Sequence, residues 1–263
     1  MSNIQRVARG VILLMLALTL VLFGCTTSTK KTEPSRPAKT VTSKDVPTRV
    51  GLTRAYLSND PRVNRFVGVD FDFTGPWDFR EGPIDSLVET KIVPKKAGLE
   101  SARFARATTA MKTKVTKGGE TMETFGYFAL TDEAYLSFGQ AVAKGSADPL
   151  KTPERVLVFP LQVGKAWKDE IQLPAKPPIK LVAERKVVGV GTVRVPAGDF
   201  KDAAMIQVKK TLTETDGTRA TSVGYEWYAP GVGIVAWIAG RNQEPEPLFK
   251  EAAFFQRLRS YTK

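Results

Sequence analysis

Few residues in this chain could carry chemistry. There is no histidine, and the single cysteine is Cys25. Without His there is no Ser-His-Asp or Cys-His nucleophile and no imidazole-bound metal. One Cys leaves no intramolecular disulfide, no Cys-x-x-Cys redox pair and no thiolate zinc cage. What remains is carboxylate chemistry, a Ser–Lys arrangement, or Mg²⁺ or Ca²⁺ held by oxygens. Carboxylates gather at Asp70, Asp72, Asp78, Glu81 and Asp85. Asp70 and Asp72 fall on one side of an expected strand, and carboxyl groups about 5–10 Å apart could serve glycan hydrolysis. The same spacing fits a solvated strand face followed by a polar turn, which is the weightier reading. Asp-x-Asp lacks the rest of a calcium loop, and no Ser-x-x-Lys stands in an apolar context. No catalytic residue, metal ligand or cofactor is assigned, and the chain is read as non-enzymatic.

Large aromatics are the other candidates. Trp167, Trp227, Tyr228 and Trp237 lie in the second half of the chain. They serve either as anchors of a sheet core, the weightier reading, or as the lining of a cavity for an apolar ligand. Glycines near them stand in turn contexts. None has the strand–loop–helix setting of a phosphate loop.

The segments that must position these groups begin with a targeting signal. Arg6 and Arg9 precede an apolar run from Val11 to Phe23 that is interrupted only by Thr19. The run is shorter than the roughly 20 residues a membrane span needs, and the layout is that of a secretory signal over residues 1–24. The stretch Leu22-Phe23-Gly24-Cys25 resembles the lipobox of bacterial lipoproteins, with Phe23 where small residues are commoner. The resemblance implies cleavage between Gly24 and Cys25, a diacylglyceryl group on the Cys25 sulfur, and acylation of the new N-terminus. Two or more acyl chains anchor stably. In a Gram-negative envelope, Thr26 in place of an Asp implies the outer membrane, facing the periplasm. In a Gram-positive host the same anchor would sit on the outer face of the single membrane.

Residues 25–50 follow as the lipidated Cys and a basic tether. They are rich in Thr, Ser, Lys and Pro and poor in large apolar side chains, so they cannot bury enough surface to order themselves. Fully extended, the tether reaches at most about 80 Å. Of the net charge of +12, the signal carries +2, residues 26–65 carry +6 and residues 66–263 only +4. The basicity therefore concentrates near the anchor. There it either meets anionic headgroups or simply solvates a linker. Nucleic acid is excluded as a partner, because the basic residues are not interleaved with stacking aromatics.

Residues 51–263 read as one β-rich domain. Val63, Val67, Val69, Phe71 and Phe73 alternate with polar neighbours, and Thr74-Gly75-Pro76 stops the run. Further strands are expected over 86–93, 101–117, 120–131, 156–160, 165–173, 181–195, 200–213, 219–228, 232–239 and 253–261. Residues 132–144 fit a short helix, from the spacing of Tyr135, Phe138 and Val142, or a strand. Pro196-Ala197-Gly198 and Pro230-Gly231 mark turns, the second of type II. Asp216-Gly217 signals a two-residue hairpin. Residues 240–250, with Pro245 and Pro247, read as a loop. Short hairpin links make an antiparallel meander rather than a parallel α/β fold.

Three segments carry a second resemblance: Phe159-Pro160-Leu161-Gln162-Val163-Gly164-Lys165-Ala166-Trp167, Val195-Pro196-Ala197-Gly198-Asp199-Phe200, and Glu226-Trp227-Tyr228-Ala229-Pro230-Gly231-Val232-Gly233-Ile234-Val235. In this order they are similar to a loose family of uncharacterised bacterial exported proteins and lipoproteins, over about residues 155–240. The resemblance implies a lipoprotein-carrier type of fold, a curved antiparallel sheet forming an unclosed barrel around an apolar interior. The expectation is an envelope lipoprotein, held at a membrane by its N-terminal lipid, that binds a lipid, another apolar ligand or an envelope protein. The alternatives are a carboxylate-dependent cell-wall hydrolase and a scaffold subunit of an envelope complex.

Overall fold

A computed structural model of the chain describes residues 39–60, 66–142, 144, 146–174 and 179–262. Cys25, the signal segment and the first part of the tether lie outside the described residues. Pro37–Lys263 forms one compact unit.

Two up-and-down runs build the sheet. One holds β4 (Ser86–Pro94), β5 (Thr109–Lys117), β6 (Glu120–Leu130), β7 (Ala134–Ala141) and β8 (Ala147–Val158), each antiparallel to the next. The other holds β9 (Ala166–Leu173), β10 (Ile179–Val195), β11 (Gly198–Thr213), β12 (Arg219–Ala229), β13 (Gly233–Ala239) and β15 (Phe254–Tyr261). The strand β1 (Thr53–Ser58) lies between β15 and β4 and joins the runs. Two short strands, β2 (Val67–Gly68) and β14 (Glu251–Ala252), pair with each other, and β3 (Trp77–Asp78) pairs in parallel with β10. The expectation of a mainly β, antiparallel, curved and unclosed sheet is met, with β3 as the parallel exception.

The sheet stays open between β8 and β9, which are consecutive in sequence but share no ladder. Side chains cross that seam instead. The Arg155 backbone N–H and Nε donate to the Asp169 carboxylate at 3.2 and 2.8 Å. Arg155 Nη2 donates to Lys168 O at 2.6 Å, and Trp167 Nε1 donates to Arg155 O at 2.8 Å. Pro149 and Pro153 within β8 suit an edge strand, since neither can donate to a further ladder.

Several local expectations are corrected. Of the two alternatives held for residues 132–144, the described residues take the strand and not the helix. They carry β7, in which Tyr135 stacks on Phe128 at 5.1 Å while Phe138 packs with Tyr127 in a core cluster. The apparent helical spacing therefore arises from residues on opposite sides of a bulged strand. Gly139 makes the bulge feasible: its φ is +107°, and a Cβ there would stand 2.1 Å from Asp148 O. Residues 66–73 are not a long strand either. Apart from β2 they cross one face of the sheet as an irregular strap. Val69 and Phe71 are still buried and Asp70 and Asp72 still exposed, as the alternation implied. In the 101–117 segment only Thr109–Lys117 is strand, the start being a 3₁₀ turn at Ser101–Arg103. The Asp216-Gly217 hairpin has a three-residue loop. Gly217 N–H bonds to Glu214 O and Glu214 N–H to Thr218 O, with Gly217 in the left-handed region. Asp216 accepts the Thr218 N–H at 2.8 Å, which favours a type I turn closed by a glycine bulge over a type I′ turn.

The tether also ends earlier than its composition suggests. Within residues 39–50, Val41 bridges Leu161 and is fully buried, and Val46 is buried too. Gly231 N–H bonds to Asp45 O at 2.8 Å. Two valines with matching apolar holes suffice to dock a segment whose average composition is polar.

The main core lies under the strap. Phe71, Trp77 and Phe79 pack on Trp227, with ring centroids 6.1, 5.8 and 4.6 Å away. The sheet makes room for the strap with glycine: a Cβ at Gly189 would stand 2.2 Å from Phe73 O. A second cluster gathers Val41, Leu161, Trp167, Ile206 and Tyr228, and a third lies around Phe104, Tyr127 and Phe138.

Candidate functional site

Alternation along β12 separates structural from available aromatics. Tyr225, Trp227 and Ala229 belong to the main core, whereas Tyr228 between them points the other way. It faces a cavity of about 330 Å³ on the inner side of the curved sheet. β1, β4, β5, β6, β7, β8, β12, β13 and β15 contribute to its wall, as do Val46 and Pro47 of the docked N-terminal segment. The lining is largely apolar, with Val88, Ile92, Met111, Phe128, Ile234 and Trp237 prominent.

The polar groups of the wall are few and grouped. On β1, Arg54 and Tyr56 sit two residues apart and so share a face. Cross-strand register sets Arg54 beside Thr90 of β4, and Thr90 beside Thr113 of β5, so a polar row crosses the cavity wall. Tyr56 OH donates to Ile234 O at 3.1 Å. Arg54 Nε donates to Val232 O at 2.6 Å. Gly233 lies flat beneath the guanidinium, where a Cβ would come within 3.1–3.3 Å of it. Tyr228 is 4% exposed, and its hydroxyl is buried with no hydrogen-bond partner.

Burial pushes the Tyr56 hydroxyl up to about 12, against the pull of the neighbouring Arg54 charge. Burial also raises the Tyr135 and Tyr228 hydroxyls, and the Arg54 charge opposes both shifts. All three are therefore neutral donors at ordinary pH. Among the described residues of the wall, Arg54 is the only one that carries a charge.

Of the four aromatics singled out in the sequence, Tyr228 and Trp237 line the cavity. Trp227 belongs to the main core. Trp167 belongs to the second cluster, its ring N–H tied to the β8–β9 seam. Trp237 is half-buried and packs on Phe254 at 4.4 Å. Cys25 lies outside the described residues. Asp70 and Asp72 are not brought together into a cleft. Asp70 pairs with Lys250 at 2.8 Å on the surface. Asp72 accepts from Thr74 N, Thr74 Oγ1 and Gly75 N, holding the turn that ends the strap. Their spacing thus reports a turn and a surface ion pair.

Sequence reasoning missed Arg54, Tyr56 and Tyr135. Composition groups Arg54 with the basic residues near the anchor, yet it is 8% exposed and lines the cavity. The readable signal was Arg54-Ala55-Tyr56, an alternation that places a cation on the side of an aromatic ring within a strand.

A protein-family model described as DUF3108-like matches residues 132–237, from β7 into β13. Two solved structures are similar over most of the chain. One is a presumed exported protein of Bacteroides fragilis with a YmcC-like fold, 14% identical, with 82% of this chain and 98% of that chain covered and a TM-score of 0.43. The other is a presumed lipoprotein of Parabacteroides distasonis, 11% identical, with 84% of this chain and 99% of that chain covered and a TM-score of 0.43. No curated protein matches the chain.

Proposed function

We propose that this chain is an exported envelope lipoprotein, anchored through lipid on Cys25, whose β body binds an apolar ligand without catalysing a reaction on it. The observation that carries the binding role is the cavity: about 330 Å³ on the inner face of the sheet, largely apolar, with a few converging polar groups. That is the usual make-up of a small-molecule site, which runs from about 300 to 1,000 Å³. The anchor rests on the sequence around Cys25, with residues 1–24 as its signal and the outer membrane, facing the periplasm, as its place in a Gram-negative envelope.

Two measurements test the two halves. Mass spectrometry of the purified 37–263 body after organic extraction should recover an apolar molecule in stoichiometric amount. A body that emerges empty, and that binds no alkyl probe when one is added, would overturn the binding role. Cys25→Ser should abolish acyl labelling and release the protein from membranes, and continued membrane attachment would sink the lipoprotein assignment.

A further inference from the structure

We propose that the ligand of this cavity is an amphiphile with an anionic head, a carboxylate or phosphate that docks on Arg54 and the Tyr228 hydroxyl while its alkyl tail fills the apolar part. This inference rests on the cavity being a ligand site and adds the chemistry of what enters it.

The argument begins with an unbalanced charge. Arg54 is 8% exposed, and no carboxylate among the described residues pairs with it. A buried charge is normally paired, because burial strips it of water. Its one protein hydrogen bond, Nε to Val232 O, uses a single donor of the five on a guanidinium. No hydrogen bond among the described residues uses its terminal nitrogens, and the residue lines the cavity. Asp45 is the acid whose charge is felt at Tyr228, but its carboxylate is already engaged. It accepts from Lys39 Nζ at 2.6 Å and from Thr42 N and Oγ1 at 2.9 and 3.0 Å.

A second observation points the same way. The Tyr228 hydroxyl is buried with no partner and belongs to the same wall. A buried donor without a partner and a cation without a carboxylate, both on residues of one wall, are the two halves of a carboxylate or phosphate site, since both oxyanions accept several charge-assisted hydrogen bonds. The hydroxyls of Thr90 and Thr113 extend this polar row across β4 and β5. Among the described residues the remaining wall carries no second charged side chain. Apart from Gln256 and the hydroxyls of Tyr56 and Tyr135, it offers methyl, methylene and ring surface, including Met111, Phe128 and Trp237. A small anion alone would leave that surface uncovered, and a neutral alkane would leave Arg54 unpaired. The volume, about 330 Å³, is roughly twice that of a ~150 Å³ apolar cavity that accepts benzene. That is room for a tail of moderate length.

The test uses the 37–263 body, which contains the whole sheet, all three core clusters and every wall of the cavity. Four twelve-carbon probes, each below its micelle concentration, are titrated against Trp fluorescence and by calorimetry. They are dodecanoate, dodecyl phosphate, dodecanol and dodecyltrimethylammonium. The expected result is that both anions bind about tenfold or more tighter than dodecanol, the value of a charge-assisted hydrogen bond, and that the cation binds weakest. Arg54→Met should erase the preference for anions while leaving dodecanol affinity in place, and Arg54→Lys should keep part of it. Dodecanol binding as tightly as dodecanoate would overturn the head-group assignment and leave the apolar site standing. No binding of any probe would overturn both. A preference for anions that survives Arg54→Met would also refute the assignment. If that variant fails to fold, the comparison of the four probes on the unsubstituted body still decides the question.

Discussion

Tyr228 and Tyr56 line the same cavity, and the same substitution should move stability in opposite directions at the two sites. The Tyr228 hydroxyl is buried without a partner, so the empty protein bears its desolvation cost with no hydrogen bond in return. An unsatisfied buried donor costs about 1–3 kcal/mol, and a substitution that removes the group while keeping the shape recovers part of that. Tyr228→Phe should therefore stabilise the ligand-free body by about 1–2 kcal/mol. For a chain of this size that is a rise of about 2–8 °C in Tm, at 2–4 °C per kcal/mol. Tyr56 donates to Ile234 O at 3.1 Å, so Tyr56→Phe loses a bond worth about 0.5–1.5 kcal/mol and should lower Tm. The assay is reversible thermal unfolding of the delipidated 37–263 body, with and without saturating dodecanoate. Ligand should close or reverse the advantage of Tyr228→Phe, because the hydroxyl then has an acceptor to serve. If Tyr228→Phe destabilises the ligand-free body by 1 kcal/mol or more, the hydroxyl already has a partner there and the reasoning fails.

Three further outcomes follow from the structure. Gly189→Ala places a Cβ 2.2 Å from Phe73 O and must push the strap off β10; overpacking of this kind costs about 1–3 kcal/mol. Gly68→Ala, with nothing within 4 Å, should change little, and denaturant unfolding that ranks the two equally would refute the close approach. Asp169→Ala removes both bonds that Arg155 makes to it across the open seam. Arg155 is 44% exposed on its side chain, so screening limits the ionic part. The orphaned backbone N–H then carries about 1–2 kcal/mol, and hydrogen exchange along β8 should accelerate while β11 stays protected. Finally, the raised tyrosine pKa values set an alkaline limit. A hydroxyl that titrates near 10 when unfolded and at about 12 in the fold contributes stability that is intact below pH 10 and lost as pH rises towards 12. Stability that falls already between pH 8 and 9 would need another group.

The period-two pattern exposed the sheet where a strand has one buried and one less buried face, as β10 does over much of its length, and that alternation is local. The partners of each strand are not. Pairing of β1 with β15 joins residues about 200 apart, and no local pattern of Thr53–Ser58 reports it. The strap misled for a related reason: Val69 and Phe71 alternate with Asp70 and Asp72 as in a strand, yet the face they cover is itself a sheet, so no ladder forms. Arg54 was hidden by composition. Among the basic residues near the anchor it looks like one more solvated cation; the alternation Arg54-Ala55-Tyr56 puts it on the side of a ring, and the register with Thr90 and Thr113 sets it in the polar row of the wall.

The Trp227-Tyr228-Ala229-Pro230-Gly231-Val232-Gly233 segment now has a physical account that turn chemistry alone did not supply. Trp227 fastens the segment to the core beneath the strap, and Tyr228, whose hydroxyl is buried without a partner, lines the cavity. The type II turn that follows places Gly231 at φ +73°, and Val232 N–H closes on Ala229 O at 3.1 Å. That turn presents two backbone groups in different directions. Gly231 N–H holds Asp45 O of the N-terminal segment, and Val232 O holds Arg54 Nε. Gly233, with φ +100°, leaves the space the guanidinium occupies. Seven consecutive residues thus fix the cation, supply its companion hydroxyl and dock the segment that brings Val46 and Pro47 to the wall. A substitution at Gly233 should accordingly disturb the preference for an anionic head before it disturbs the sheet, because what a Cβ there meets first is Arg54.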